Sequence, residues 1–168
     1  MLSFSADIVI KGKKAEKYQE LNSKYGLLFI DTYMMSAALG FLNKKKDTNE
    51  ADSPAIANIP RTVLINRSDK IDFLCELITL DEELEVNEEQ AMKLAFEDVP
   101  ANSKGKLQRF EVFNDYAMGG IDCLFDLLCN EKKYGDPVDS FKLALDMYLP
   151  NKDIGKKTAD EIFEEAGL

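Results

Sequence analysis

The sequence contains no histidine and no tryptophan among its 168 residues. Imidazole is the usual general base, the usual activator of catalytic serine and cysteine, and the commonest metal ligand, so its absence removes the main routes to hydrolytic and metal chemistry. Any catalysis would depend on carboxylates, lysine, tyrosine or cysteine. The sequence also has neither a P-loop nor a GxGxxG motif. We therefore predict that the protein is not an enzyme and uses no cofactor.

Cysteine is scarce and is not arranged in pairs. The three cysteines are Cys75, Cys123 and Cys129, and none belongs to a CxxC motif. An odd number with this spacing argues against a disulfide framework and against a zinc cluster. Each cysteine lies among apolar residues, which predicts three buried thiols in a reducing cytoplasm.

Basic charge is in deficit and long hydrophobic runs are missing. The chain has 31 acidic and 21 basic residues, for a net charge of −10. This balance opposes general binding to the phosphate backbone and fits pairing with a basic partner.

The most apolar stretch, residues 27–42, is too short for a membrane span and contains Asp31, Thr32 and Ser36. We predict a cytoplasmic protein without membrane contact.

What the sequence does contain is helical periodicity. Apolar residues recur every three or four positions in seven segments, which begin near residues 15, 27, 68, 88, 107, 137 and 158. Residues 1–14 are expected to form an extended arm, residues 47–60 a loop, and residues 61–66 a short strand paired with residues 7–10. We predict an all-α fold, a single-domain bundle of about seven helices over residues 1–168, with at most a short two-stranded element.

The segment from residue 107 to residue 128 shows the clearest pattern and has two apolar lines. Gly119 and Gly120 lie in its middle, where two glycines cost about 2 kcal/mol relative to alanine. They indicate a kink, a junction between two helices, or a close helix crossing. If the helix buries one line only, the other becomes an interface for a partner or for a second copy of the chain. The candidate residues of that interface are Val112, Tyr116, Gly119, Gly120 and Cys123.

Charged residues offer two further candidate sites. A local basic face for nucleic acid would comprise Lys44, Lys45, Lys46, Arg61, Arg67, Lys104, Lys106 and Arg109. Aromatic residues are not interleaved with these cations, so a platform for single strands is not indicated, and solvated charges at helix ends are the favoured interpretation.

Acidic residues suggest a carboxylate-dependent metal enzyme as a second alternative. Residues 81–89 contain six carboxylates, but they lack the spacing of a calcium loop, which favours a solvated loop. Asp115, Asp122 and Asp126 lie along the long helix at spacings of seven and four, where exposed charges are the favoured interpretation. We predict no metal site.

Two segments carry a family resemblance. They are FIDTYMMSAALGFLNKKK at residues 29–46 and FNDYAMGGIDCLFDLL at residues 113–128, with IPRTVLINRSDKIDFLCELITL between them. In this order they resemble the small accessory proteins encoded with Dnd-type DNA phosphorothioation loci, which are bacterial systems of DNA sulfur modification and phage defence. The resemblance spans roughly residues 28–128. It implies a non-catalytic accessory or adaptor subunit of a multi-protein defence complex that acts on DNA. The partners that the resemblance implies are the other protein subunits of that complex, and the implied contact with DNA is indirect.

Overall fold

The computed structural model describes residues 4–84, 88–96 and 104–129, and in this part of the chain it contains six helices and two short strands. The predicted helical fold with a short two-stranded element is confirmed. The predicted helices beyond residue 130 lie outside the described residues. In chain order the elements are β1 Ile8–Lys11, α1 Gly12–Tyr25, α2 Phe29–Leu42, β2 Ile56–Ile59, α3 Arg61–Asn66, α4 Ser68–Leu84, α5 Glu88–Phe96 and α6 Lys104–Cys129.

The chain divides into two compact units, Met1–Phe125 and Asp126–Leu168. Of the second unit, the structure describes the last four residues of α6. The features discussed below belong to the first unit unless another is named.

The two strands form an antiparallel ribbon in which Ile8 lies opposite Ile59 and Lys11 opposite Ile56. The predicted partner of the first strand, residues 61–66, was wrong, because these residues form α3. Pro60 lacks an N–H for a strand ladder, and its carbonyl accepts hydrogen bonds from the first turn of α3 instead. The predicted loop 47–60 is irregular through residue 55, and its last residues before Pro60 form β2.

The junction between β1 and α1 requires glycine. Gly12 has φ +67°, a left-handed conformation that side chains disfavour, and a Cβ at this position would overlap the side chain of Asp52. Its N–H donates to the carbonyl of Ala55 at 3.0 Å. Because the turn is made at this one residue, α1 begins at Gly12, and the arm predicted to reach residue 14 ends three residues earlier.

The core lies between α1, α2 and α6. Tyr18, Tyr33 and Phe113 are fully buried, and the rings of Tyr33 and Phe113 meet edge to face with centroids 5.3 Å apart. The Tyr33 hydroxyl donates to the side-chain oxygen of Asn114 at 2.9 Å, which gives the phenol a partner inside the core. The most apolar stretch of the sequence, residues 27–42, therefore contributes α2 to this core.

Glycines make α2 and α6 approach closely. A Cβ built on Gly120 would overlap the carbonyl oxygen of Ser36 and the backbone of Gly40, and a Cβ on Gly40 would overlap the carbonyl of Tyr116. A Cβ on Gly119 would overlap the carbonyl of Lys45. Since α6 is one helix from Lys104 to Cys129, the glycine pair marks a close helix crossing, one of the three predicted possibilities.

The segment after α2 is fastened to this core. Lys44 takes a left-handed conformation with φ 50°, and the Lys44 and Lys45 amides donate to the carbonyls of Phe41 and Gly40. This pattern closes the helix in the manner of a Schellman motif. The amide of Asp47 then donates to the carbonyl of Asp115 at 3.0 Å, which ties the segment to α6.

Side chains occupy the outer edges of the ribbon. Asn49 accepts from the amide of Lys11 at 2.9 Å and donates to the carbonyl of Val9 at 2.7 Å, as a neighbouring strand would do. On the other strand, the Gln19 side chain donates to the carbonyl of Ile56 at 2.9 Å. Backbone groups that could pair with an added strand are therefore engaged on both strands.

Candidate interaction surface

Helix α4 has a buried face and an apolar outer face. Ile71, Cys75 and Ile78 recur at helical spacing and are buried. Phe73 and Leu77, one turn apart, point away from that face and are 56% and 40% exposed. In the part of the chain that the structure describes, α4 therefore leaves two large apolar side chains exposed to solvent.

Helix α5 packs against α4 and repeats the arrangement. Ala91 and Ala95 are buried. Met92 and Phe96, again one turn apart, are about half exposed, at 50% and 49%. We refer to Phe73, Leu77, Met92 and Phe96 together as the α4–α5 apolar surface. Large apolar side chains exposed on packed helices are typical of protein-binding surfaces.

The charge around this surface is negative. Helix α4 carries six acidic residues and one lysine, and α5 carries two acidic residues and one lysine. Asp69, Glu88 and Glu89 are exposed. Asp81 at the end of α4 receives the Lys44 ammonium at 2.7 Å. Residues 81–84, predicted to lie in an acidic loop, belong to α4.

The cations predicted to bind nucleic acid lie in separate contacts within the chain. Lys44 and Lys45 pair with Asp81 and Asp122, while Lys46 lies 4.7 Å from the ring centroid of Tyr116. The two arginines of residues 61–67 also contact their own chain: the side chain of Arg61 donates to the carbonyl of Phe4, and Arg67 lies 4.0 Å from Asp31.

The remaining predicted cations lie on α6. Arg109 is buried and donates to the carbonyl of Ala95 at 2.6 Å, so it joins α6 to the end of α5. Lys104 and Lys106 lie in the first turn of α6, and their side chains are outside the described part. The described cations of the predicted basic face thus hold elements of the fold together.

The acidic residues of α6 are less exposed than expected. Asp122 is half buried between two lysines: one carboxylate oxygen accepts from Lys17 of α1 and the other from Lys45 at 2.9 Å. Burial alone would raise the pKa of Asp122, but the hydrogen bonds and charges of the two lysines hold this pKa below its usual value. Asp122 therefore joins three segments of the chain.

Asp115 differs from Asp122 in its electrostatics. Partial burial raises the pKa of Asp115, although Lys46 acts in the opposite direction. Within residues 4–84, 88–96 and 104–129, no group of three cysteine and acidic side chains is placed to hold a metal ion.

The residues of the predicted partner interface on α6 divide into two sets. Tyr116, Gly119 and Gly120 are buried against their own chain at the crossing with α2 and the segment that follows it. Val112 and Cys123 are half buried. Of the five predicted interface residues, Val112 and Cys123 are therefore the two whose side chains can contact a partner.

The cysteines also differ from one another. The prediction of three buried thiols is right for Cys75 and wrong for Cys123 and Cys129, which are half buried. Burial on the inner face of α4 raises the pKa of the Cys75 thiol, and the nearby Asp72 acts in the same direction. Because the thiolate is the nucleophilic form, this environment makes Cys75 unreactive.

Sequence reasoning missed the α4–α5 apolar surface, although the signal for it was present. The periodicity of residues 68–80 predicts one helix face with Ile71, Leu74, Cys75 and Ile78, of which Leu74 is only half buried in the structure. Phe73 and Leu77 fall outside that face. When one face of a helix already supplies the buried residues, large apolar residues on another face indicate a second contact surface.

No protein-family model matches the chain, and neither a curated protein nor a solved structure matches it significantly. Within the described residues, no individual helix combines the length and hydropathy of a membrane span. Helices α1 and α2 meet these criteria only as a pair, with a bend of 116° between them.

Proposed function

We propose that this chain is a non-catalytic accessory subunit of a bacterial DNA-modification or phage-defence complex, and that it acts through protein–protein contacts. The observation that carries the proposal is the α4–α5 apolar surface, in which Phe73 and Phe96 are about half exposed on two helices packed against each other. Two more side chains of similar exposure extend it. A surface of this kind gains free energy when a partner covers it.

The kind of complex comes from the sequence resemblance alone. The segments that carry it, residues 29–46 and 113–128, contain the glycines of the close crossing between α2 and α6. These segments account for the scaffold of the molecule. The scaffold in turn leaves α4 and α5 available as the contacting part, which fits the role of an adaptor.

Purification from the organism that encodes the chain tests the proposal. The chain carries an affinity tag and is expressed from its own locus, and the subunits that co-purify are identified by mass spectrometry. We expect larger subunits of a DNA-modifying or restricting apparatus in a fixed ratio to the chain. Deletion of the gene should raise the plating efficiency of phage on that strain, and the wild-type gene should restore resistance.

Matched variants link this outcome to the surface. The double variant Phe73→Gln, Leu77→Gln should lose the co-purifying subunits, because glutamine keeps the helix propensity of α4 and removes the apolar contact. Leu42→Gln, which changes an equally exposed leucine at the end of α2, should retain them. A wild-type chain that elutes alone, together with a deletion strain of unchanged phage resistance, would contradict the proposed function.

A further inference from the structure

The two helices that carry the α4–α5 apolar surface have an excess of negative charge, and this excess restricts what can cover the surface. The two helices carry eight acidic residues and two lysines. Elsewhere the lysines meet acids of their own chain: Lys14 pairs with Asp47 at 2.8 Å, and Asp122 accepts from two lysines. Negative charge is thus concentrated where the apolar side chains are exposed.

We propose that the α4–α5 apolar surface binds a basic amphipathic helix of a partner protein. This inference rests on the proposed function and adds the chemistry of the partner to it. An apolar stripe on the partner helix would cover Phe73, Leu77, Met92 and Phe96, and lysines or arginines flanking that stripe would face Asp69, Glu76 and the acids of α5. Charge complementarity of this kind sets specificity and speeds association.

The geometry favours a helix over an extended segment. On each helix the exposed apolar pair is one turn apart, so its side chains are separated by about 6 Å along the axis, which matches the i, i+4 anchors of helix-in-groove recognition. An extended segment would bind by adding a strand, and the ribbon offers poor edges for this because Asn49 and Gln19 engage backbone groups of β1 and β2.

The same charges disfavour the competing occupants. In a symmetric dimer formed through this surface, the acids of one α4 would face those of the other, and the net charge of −10 would add long-range repulsion between the copies. The phosphates of DNA and of anionic lipids would be repelled for the same reason. A basic partner is the occupant whose charge lowers the free energy of the complex.

Binding of designed peptides to the full-length chain tests the inference. The probe is a fluorescent helical peptide of about 14 leucines and lysines with one apolar face. Its controls are the same peptide with glutamate for every lysine, and a shuffled peptide of the same composition without an apolar face. Fluorescence anisotropy should show binding of the basic amphipathic peptide, weaker binding of the shuffled one and none of the acidic one.

Variants separate this surface from general attraction to an acidic protein. Phe73→Gln, Leu77→Gln should weaken binding by about tenfold or more, since large apolar anchors dominate such interfaces. Leu42→Gln should bind as the wild type does. Glu76→Lys should weaken binding more than Glu16→Lys, an equal change of charge on an exposed residue of α1. Circular dichroism verifies that each variant is folded.

Four outcomes would overturn the inference. Equal affinity of the wild type and the Phe73/Leu77 double variant would assign the binding to bulk charge. Preference for the acidic peptide would reverse the proposed partner chemistry. Dimerisation of the wild type in sedimentation, lost in the double variant, would make a second copy the occupant. If instead the native complex assembles and retains the double variant, the accessory function survives and this partner site fails.

Discussion

The crossing of α2 with α6 and the pair α4–α5 are both helix packings, but they are built in opposite ways. At the crossing, Gly40 and Gly120 bring the backbones together, and the nearby carboxylate of Asp122 is matched by two lysines. On α4–α5, large apolar side chains remain exposed among acids that outnumber the lysines. The first arrangement satisfies its groups within the chain, and the second leaves apolar area and charge for another molecule. This contrast separates the part that holds the fold from the part we assign to binding.

The largest expected effect follows from filling the crossing. Gly120→Ala should destabilise the protein by about 3 kcal/mol, because the new methyl group meets backbone atoms of Ser36 and Gly40 that cannot rotate away, and this outweighs the gain of about 1 kcal/mol in helix propensity. Urea denaturation followed by circular dichroism measures the change. Glu111→Ala, at an exposed position of the same helix, is the control and should alter the free energy of unfolding by less than about 0.5 kcal/mol. A stable Gly120→Ala variant would show that α2 and α6 can separate without loss.

A smaller effect is expected from the charges beside the crossing. Asp122→Asn should destabilise the protein by about 1 kcal/mol at neutral pH, because it leaves the half-buried Lys17 and the more exposed Lys45 close to each other without their anion. Asp81→Asn removes a pair on α4 whose side chains are both more than half exposed, and should cost less than about 0.5 kcal/mol. Equal effects of the two changes would contradict the distinction between the two regions.

The pH dependence of this difference has a defined sign. The folded-state pKa of Asp122 is lowered, so its contribution is present above its usual value of 3.8 and is lost as the pH falls through the lower folded value. The difference in unfolding free energy between wild type and Asp122→Asn should therefore be smaller below about pH 4 than at neutral pH. Urea denaturation of both proteins at neutral pH and in acid measures this difference. A difference that persists in acid would mean that the aspartate acts through packing.

Sequence patterns anticipated the crossing better than the binding surface, for physical reasons. The apolar periodicity of α2 and α6 and the unfavourable Gly119–Gly120 pair are local signals, so a helix crossing was among the predicted outcomes. The strand partner was misplaced because β-branched Thr62 and Val63 favour a strand in isolation, whereas Pro60 and the packing of Leu64 make the segment helical. Local propensity carries no information on such tertiary contacts.

The ion pairs between distant residues were likewise not predictable from local sequence. Lys45 and Asp122 are 77 positions apart in the chain, and nothing in their local sequences indicates that they pair. The sequence suggested a cationic face and exposed acids, and folding joined members of the two sets instead. The exposure of Phe73 and Leu77 likewise depends on which side of α4 packs against the rest of the protein. The apolar periodicity identified the buried side of this helix but gave no prediction for the opposite side.

The smallest expected effect on stability is at α4. Phe73→Gln, Leu77→Gln should change the free energy of unfolding by less than about 0.5 kcal/mol per site, because both side chains are about half exposed to solvent and glutamine is a good helix former. Ile71→Ala, at a buried position of the same helix, should cost about 3 kcal/mol. Urea denaturation at one pH compares the variants. A loss above about 1 kcal/mol in the double variant would mean that these side chains support the fold, and their exposure could then no longer be explained by a partner. An unchanged stability with lost partner binding would assign Phe73 and Leu77 to recognition alone.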